Sequence, residues 1–247
     1  MKKSIFIVAN WKMNLNFSSA SNLIDRIKAT IKNSIADIKV IICPQFLLIP
    51  QIKDSLSNDG ILSLGAQDCH HKLSGAFTGD TSIELLKDLK CQYVIVGHSE
   101  RRIYHKESSE TIKNKIQLIN QLSMVPILCI GESLVERREK NYLDILSEQL
   151  LKSIPNEVDK LLIAYEPIWS IGSGLVPSLE QIKEVTDHIR LFVNNNKKIG
   201  TIYVLYGGSV NLNNFFDIFK VHGVSGGLIG GASMKSGDFT KILKKLI

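Results

Sequence analysis

Leu161-Leu162-Ile163-Ala164-Tyr165 sets five apolar residues in unbroken succession, and Glu166-Pro167 closes the run. Alternation would mark a strand with one wet face. Continuity at this length marks a strand buried on both faces, as in a parallel sheet. Seven further short runs share the pattern: Ile5–Ala9, Val40–Cys43, Ile61–Ala66, Tyr93–Val96, Val125–Ile130, Ile202–Leu205 and Gly227–Ile229. Polar, Gly or Pro residues bound each one. Between them apolar residues recur at helical spacing, as in Leu23, Ile27 and Ile31, Ile112, Ile116 and Ile119, Phe215, Ile218 and Phe219, and Phe239, Ile242 and Leu246. Ser133-Leu134-Val135-Glu136 reads as a capping box that opens a helix carrying Leu143, Leu146, Leu150 and Ile154. Ser178-Leu179-Glu180-Gln181 is a second box, ahead of Ile182, Val185, Ile189 and Phe192. Leu47–Leu56 is interrupted by Pro50, and Ile83–Leu89 is short. Eight strand–helix units of about 30 residues, with right-handed crossovers, predict an α/β protein: a closed (β/α)8 barrel forming one domain over residues 1–247. An open doubly wound sheet would favour a Gly-rich turn after the first strand, where Asn10-Trp11-Lys12 stands instead.

The composition excludes several other classes. Of 247 residues, 44% are apolar and 22% charged, with 17 Gly and 6 Pro, so neither a disordered nor a fibrous chain is indicated. No run approaches the ~18 uncharged apolar residues of a spanning helix. The start Met1-Lys2-Lys3 is basic, but Ile5–Ala9 is too short for a signal-peptide core, which predicts a cytoplasmic protein without a membrane partner. The net charge of +6 comes from scattered lysines, with Lys241, Lys244 and Lys245 the densest group and no aromatic-interleaved basic stripe, so no nucleic-acid partner is expected. Cys43, Cys69, Cys91 and Cys129 form no C-x-x-C pair. Cys69-His70-His71 lacks a second pair at zinc spacing, so no metal and no cofactor are predicted.

In a barrel of this kind, chemistry gathers at the C-terminal ends of the strands. The residues just past each run form a coherent set. Strand one delivers Asn10 and Lys12, strand four Gly97-His98-Ser99-Glu100-Arg101, and strand six Glu166. Strand seven delivers Gly207-Gly208-Ser209, and strand eight Gly230-Gly231. Singly, Lys12 reads as a surface charge, His98 as a loop residue and the Gly pairs as tight turns. Glu166 is harder to dismiss, because a charge that ends an apolar run loses solvation. Together they suggest a base (Glu166), groups that polarise a carbonyl (His98, Lys12), and a glycine-lined anion grip beside a short helix N-terminus. Pro167–Pro177 is long for such a connection and reads as a lid. The set points to proton transfer next to a carbonyl in a small phosphorylated sugar.

Five motifs, Asn10-Trp11-Lys12-Met13-Asn14, Gly97-His98-Ser99-Glu100-Arg101-Arg102, Ala164-Tyr165-Glu166-Pro167-Ile168-Trp169, Tyr206-Gly207-Gly208-Ser209-Val210 and Gly230-Gly231-Ala232-Ser233, run from strand one to strand eight. They closely resemble the triosephosphate isomerase family. The resemblance implies a TIM barrel that interconverts dihydroxyacetone phosphate and glyceraldehyde 3-phosphate through an enediolate, in glycolysis and gluconeogenesis. It implies Glu166 as base, His98 as neutral electrophile, Lys12 as oxyanion partner, Asn10 as a further hydrogen-bonding group and Glu100 as an auxiliary carboxylate on Lys12. Gly172, Ser209, Gly230 and Gly231 would hold phosphate, with Trp11 also on the substrate side. It further implies a homodimer in which the Gly75–Asp80 loop enters the partner's site, with Thr78 as the cross-subunit contact to Asn10 and Glu100.

Departures from the usual family pattern fall on Asp80, expected to face Arg101 with a shortened arm, on Ser173, Leu175 and Val176 in the lid, and on Ser225-Gly226-Gly227 behind strand eight. A different phosphate-binding barrel enzyme, such as a sugar-phosphate epimerase, shares the fold's phosphate site but not the set Lys12, His98 and Glu166. A non-catalytic scaffold would have lost one of these three.

Overall fold

The computed structural model describes residues 4–32, 34, 37–56 and 60–247; the basic start Met1-Lys2-Lys3 lies outside them. Among these residues eight parallel strands close into a barrel in chain order. They are β1 (Ile5–Asn10), β2 (Ile38–Cys43), β3 (Leu62–Ala66), β4 (Tyr93–Val96), β5 (Val125–Ile130), β6 (Glu157–Tyr165), β7 (Lys198–Tyr206) and β8 (Val224–Ile229). The helices around them are α1 (Phe17–Ile31), α2 (Ile49–Ser55), α3 (Ile83–Asp88), α4 (Ser99–Tyr104), α5 (Ser109–Gln121), α6 (Leu134–Arg138), α7 (Tyr142–Ser153), α8 (Leu179–Asn196), α9 (Phe215–Lys220), α10 (Gly231–Met234) and α11 (Ser236–Lys244).

The strands carry continuous apolar runs where both of their faces are dry. On β1, Phe6 and Val8 point into the barrel, where they meet Ile41, Ile95, Ile127, Leu162 and Leu205. Ile7 and Ala9 point outward, into the layer shared with helix residues such as Leu23, Ile27, Ile116 and Ile242. Period-two side-chain alternation therefore sorts one run into two cores. Each buried Ile or Leu removed from water contributes roughly 1.5–3 kcal/mol.

Closure depends on β8 lying against β1, with Phe6 opposite Gly226 and Ala9 opposite Ile229. Gly226 has φ +130°, and a Cβ there would overlap the Phe6 carbonyl oxygen. The neighbouring Gly227 leaves room for the Phe219 ring, whose edge would lie 2.8 Å from an added Cβ. The small residues behind strand eight are thus filled by α9. Arg190 braces the same strand by donating from Nε (3.1 Å) and Nη2 (3.0 Å) to the Gly223 carbonyl, and its Nη2 lies 3.5 Å from the Ser225 hydroxyl.

Several elements differ from expectation for physical reasons. β6 and β7 start earlier than their apolar runs, at Glu157 and Lys198, because the two strands pair with each other below the core, where polar side chains reach water. Pro50 does not interrupt its helix. It occupies the first turn of α2, where a missing N–H costs nothing. The Ser133–Glu136 capping box forms, but it caps only α6. Lys140, at φ +60°, turns the chain before α7, which carries Leu143, Leu146 and Leu150, with Ile154 as its C-cap. The second box, Ser178 with Gln181, opens α8 as expected.

Gly226→Ala tests the closure argument. Both the φ and the overlap with the Phe6 carbonyl oppose a side chain, so the variant is expected to lose about 3 kcal/mol of stability, read from urea unfolding. An unchanged midpoint would contradict the closure argument.

Candidate active site

The strand ends bring the predicted residues to one rim. Asn10, Lys12, His98, Glu166, Gly172, Ser209, Gly230 and Gly231 all line one cavity of about 310 Å³. Lys12 is held in the left-handed region at φ +51°, a conformation a non-Gly residue adopts only when its surroundings impose it. Here Asn10 Oδ1 accepts from the Lys12 N–H at 3.1 Å, and Gln67 Nε2 donates to the Lys12 carbonyl at 2.8 Å. The strained backbone aims the ammonium across the barrel, where Nζ meets Glu100 Oε1 at 2.6 Å.

His98 ends the turn after β4 and N-caps α4. Its Nδ1 accepts from the Glu100 N–H at 3.2 Å. That bond leaves the ring proton on Nε2, the nitrogen that lies 3.1 Å from Glu166 Oε1. The other Glu166 oxygen accepts from the Ser99 N–H at 3.0 Å. Glu166 is only 2% exposed, yet both oxygens have donors, which is what a buried carboxylate requires. Glycines make the space for it. A Cβ on Gly131 would overlap the Glu166 carbonyl, and one on Gly207 would sit 2.8 Å from its Cγ. The Cys129 thiol is pushed well up by burial and by the adjacent Glu166 carboxylate, so it remains protonated.

The segment Pro167–Pro177 borders this cavity through Ile171 and Gly172. It begins with a single 3₁₀ turn, Ile168–Ser170, and passes through Gly172 (φ +70°) and Gly174 (φ +80°). Ser173 Oγ donates to the Trp169 carbonyl at 2.7 Å, while Leu175 and Val176 are exposed. Against the segment's first turn lies Glu132, a residue that sequence reasoning missed. It is completely buried and accepts from Tyr165 Oη (2.9 Å) and Trp169 Nε1 (3.0 Å). Burial pushes its carboxyl above the ordinary range. The only sequence signal was its position two residues past the fifth apolar run.

Two expectations need correction. Trp11 does not line the cavity; its side chain is wholly buried in the layer between barrel and helices. Asp80 does not face Arg101 within the chain. Asp80 Oδ2 lies 3.6 Å from His70 Nε2, and Arg101 Nε pairs with Asp68 Oδ2 at 2.8 Å. Asp68 and Glu107 also hold Lys115, giving two acids and two bases in one buried cluster that the sequence did not announce. Thr78 is exposed, on a loop with Gly75 at φ +141° and Gly79 at φ +92°.

The family model described as triosephosphate isomerase matches residues 5–246. The chain belongs to the triosephosphate isomerase family. Relatives with that name include a protein of Amoebophilus asiaticus, 38% identical over 254 residues with all of both chains covered. Another, from Ruegeria sp., is 39% identical over 241 residues, with 96% of each chain covered. Among solved structures, triosephosphate isomerase from Bartonella henselae is similar with a TM-score of 0.87 and 35% identity, covering 97% of each chain. The protein is an isomerase on a TIM barrel, in keeping with the triosephosphate isomerase family.

Lys115→Met tests the buried charge cluster. It leaves the partly exposed Arg101 as the cation beside Asp68 and Glu107 and is expected to cost about 3 kcal/mol at neutral pH. Burial already raises the Asp68 carboxyl, with Lys115 the strongest opposing influence. Without Lys115 its folded-state pKa rises further above the unfolded value, so the deficit shrinks as pH falls through that pKa and the acid takes a proton. Urea unfolding across a pH series checks this; a deficit that does not change with pH would contradict it.

Proposed function

We propose that Glu166, His98 and Lys12 carry the reaction for which the family is named, the interconversion of dihydroxyacetone phosphate and glyceraldehyde 3-phosphate. The observation that supports it best is the pairing of Glu166 Oε1 with His98 Nε2 at 3.1 Å, on the wall of the cavity into which Lys12 projects. A carboxylate, an imidazole N–H and an ammonium then surround the space of one small substrate. Glu166 takes a proton from the carbon next to the carbonyl and returns it to the neighbouring carbon. His98 Nε2–H and Lys12 stabilise the oxygen that gains charge in the enediolate. Asn10 adds a hydrogen bond, and Glu100 fixes the Lys12 ammonium.

Backbone N–H groups at Gly172, Ser209, Gly230 and Gly231 take the phosphate, where the turns after β7 and β8 approach closely. Closure of Pro167–Pro177 keeps water from the enediolate, which in water eliminates phosphate. In this reading residues 1–247 act as one domain.

A homodimer completes the reading. Met13, Leu47 and Tyr104 are 87%, 80% and 77% exposed on the face beside the site. A second cavity of about 200 Å³, lined by Asn10, Lys12, Met13, Gln67, Glu100 and Arg101, opens next to the first. The tip of a partner's Gly75–Asp80 loop would enter there and bring Thr78 to Asn10 and Glu100. A cytoplasmic location fits the four buried free thiols, and among the described residues no helix is long and apolar enough to cross a membrane.

A coupled assay with glyceraldehyde 3-phosphate, run beside sedimentation, tests this reading. Glu166→Asp withdraws the base by about one methylene and is expected to lower kcat at least about a hundredfold with the fold intact. Lys12→Ala is expected to impair both KM and kcat, and deletion of the Thr78 loop tip to lower dimer content and activity together. Undiminished turnover in Glu166→Asp would remove the base, and a fully active monomer would remove the dimer coupling.

A further inference from the structure

Ser170 sits at the root of the lid, in the turn Ile168–Ser170, and is completely buried. Its hydroxyl meets groups from two separate parts of the chain. It donates to the Leu175 carbonyl at 2.7 Å, so it ties the root of the lid to its far end. It accepts from the Ser209 N–H at 3.3 Å and lies 3.4 Å from Tyr206 Oη. The Ser209 hydroxyl in turn donates to the Ser170 carbonyl at 2.7 Å. The two segments touch this closely because Gly208 has no side chain; a Cβ there would come within 3.0 Å of Ser170 Oγ.

A hydroxyl has one proton and two lone pairs, and a backbone N–H has one proton. The Ser170 proton is committed to Leu175, and the Ser209 proton to Ser170. We propose that Ser170 is a positioning residue, a latch that holds the ligand-free lid by occupying the Ser209 N–H that phosphate must take. This rests on the reading above, in which Ser209 is part of the phosphate grip. A bond from that N–H to an ionised phosphate is stronger than one to a neutral hydroxyl, and 3.3 Å is at the long end of the usual range. Arrival of the anion therefore draws Ser209 away from Ser170 and loosens the lid root from the turn after β7. The ligand shifts the lid because it satisfies Ser209 in one state only.

Ser170→Ala removes the competing acceptor without touching the cavity. Inorganic phosphate is the probe, followed by tryptophan fluorescence and as a competitive inhibitor of the isomerase assay. The variant is expected to bind phosphate about fivefold more tightly, the ratio that one net hydrogen bond carries, and to show a matching fall in KM without a parallel fall in kcat/KM. Amides of residues 171–176 are expected to exchange faster in the ligand-free variant. Ser170→Thr, which keeps the hydroxyl, is expected to restore wild-type phosphate affinity. Unchanged or weaker phosphate binding in a folded Ser170→Ala protein would overturn the latch. Failure of the wild type to bind phosphate in competition with substrate would instead overturn the phosphate grip.

Discussion

The C-terminal half of each strand in this barrel is dry on both faces, and most of the molecule's organisation follows from that constraint. Most side chains along these dry stretches are apolar whichever way they point, as Phe6 and Ile7 are on opposite sides of β1. The charged groups of the cavity therefore stand at or just past the strand ends. Closure of the ladder at Phe6 and Gly226 puts all eight C-terminal ends on one circle. Residues as distant in the chain as Lys12, His98 and Glu166 then become neighbours without any long loop to bring them together. The same constraint explains why glycines crowd the rim: Gly131 and Gly207 leave the volume that the Glu166 backbone and side chain occupy.

Charges on that rim are arranged so that none stands alone. Lys12 rests on Glu100, and Glu166 rests on His98 Nε2 and the Ser99 N–H. These are resting contacts. The donors that satisfy Glu166 are worth more than they would be in water, because the surroundings are poorly solvated. In the proposed mechanism Glu166 gives up part of this set to reach a substrate carbon, and the substrate oxygen takes over the His98 Nε2–H. The proposed latch has the same logic, since the Ser209 N–H bonded to Ser170 is one that phosphate would take. Binding and preparation for chemistry are thus one exchange of hydrogen-bond partners.

Much of this is legible in the sequence where burial leaves a strict pattern. The run Leu161–Tyr165 and its seven counterparts mark the barrel, and the residues just beyond them mark the cavity. Legibility ends where structure is held by backbone pairing or by single contacts. The first residues of β6 and β7 pair outside the core and carry no apolar signal. Lys140 turns left-handed without being glycine, so the division between α6 and α7 has no local sequence marker. Trp11 adjoins Lys12 in the chain, yet its side chain points away from the cavity into the helical layer. Glu132, Asp68 and Lys115 are buried by partners far away in sequence, and no spacing rule connects them. The departure at Ser225-Gly226-Gly227 is compensated by Phe219 and Arg190, which only the packing reveals.

In the proposed mechanism Glu166 moves a carbon-bound proton at this rim. Deuterium incorporation tests it most directly: dihydroxyacetone phosphate is incubated with the protein in D₂O and its carbon-bound hydrogens are followed by proton NMR. Wild-type protein is predicted to introduce deuterium next to the carbonyl, and folded Glu166→Gln to reduce that rate by orders of magnitude. Incorporation at the wild-type rate in the Gln variant would assign the proton transfer to another group and contradict the account.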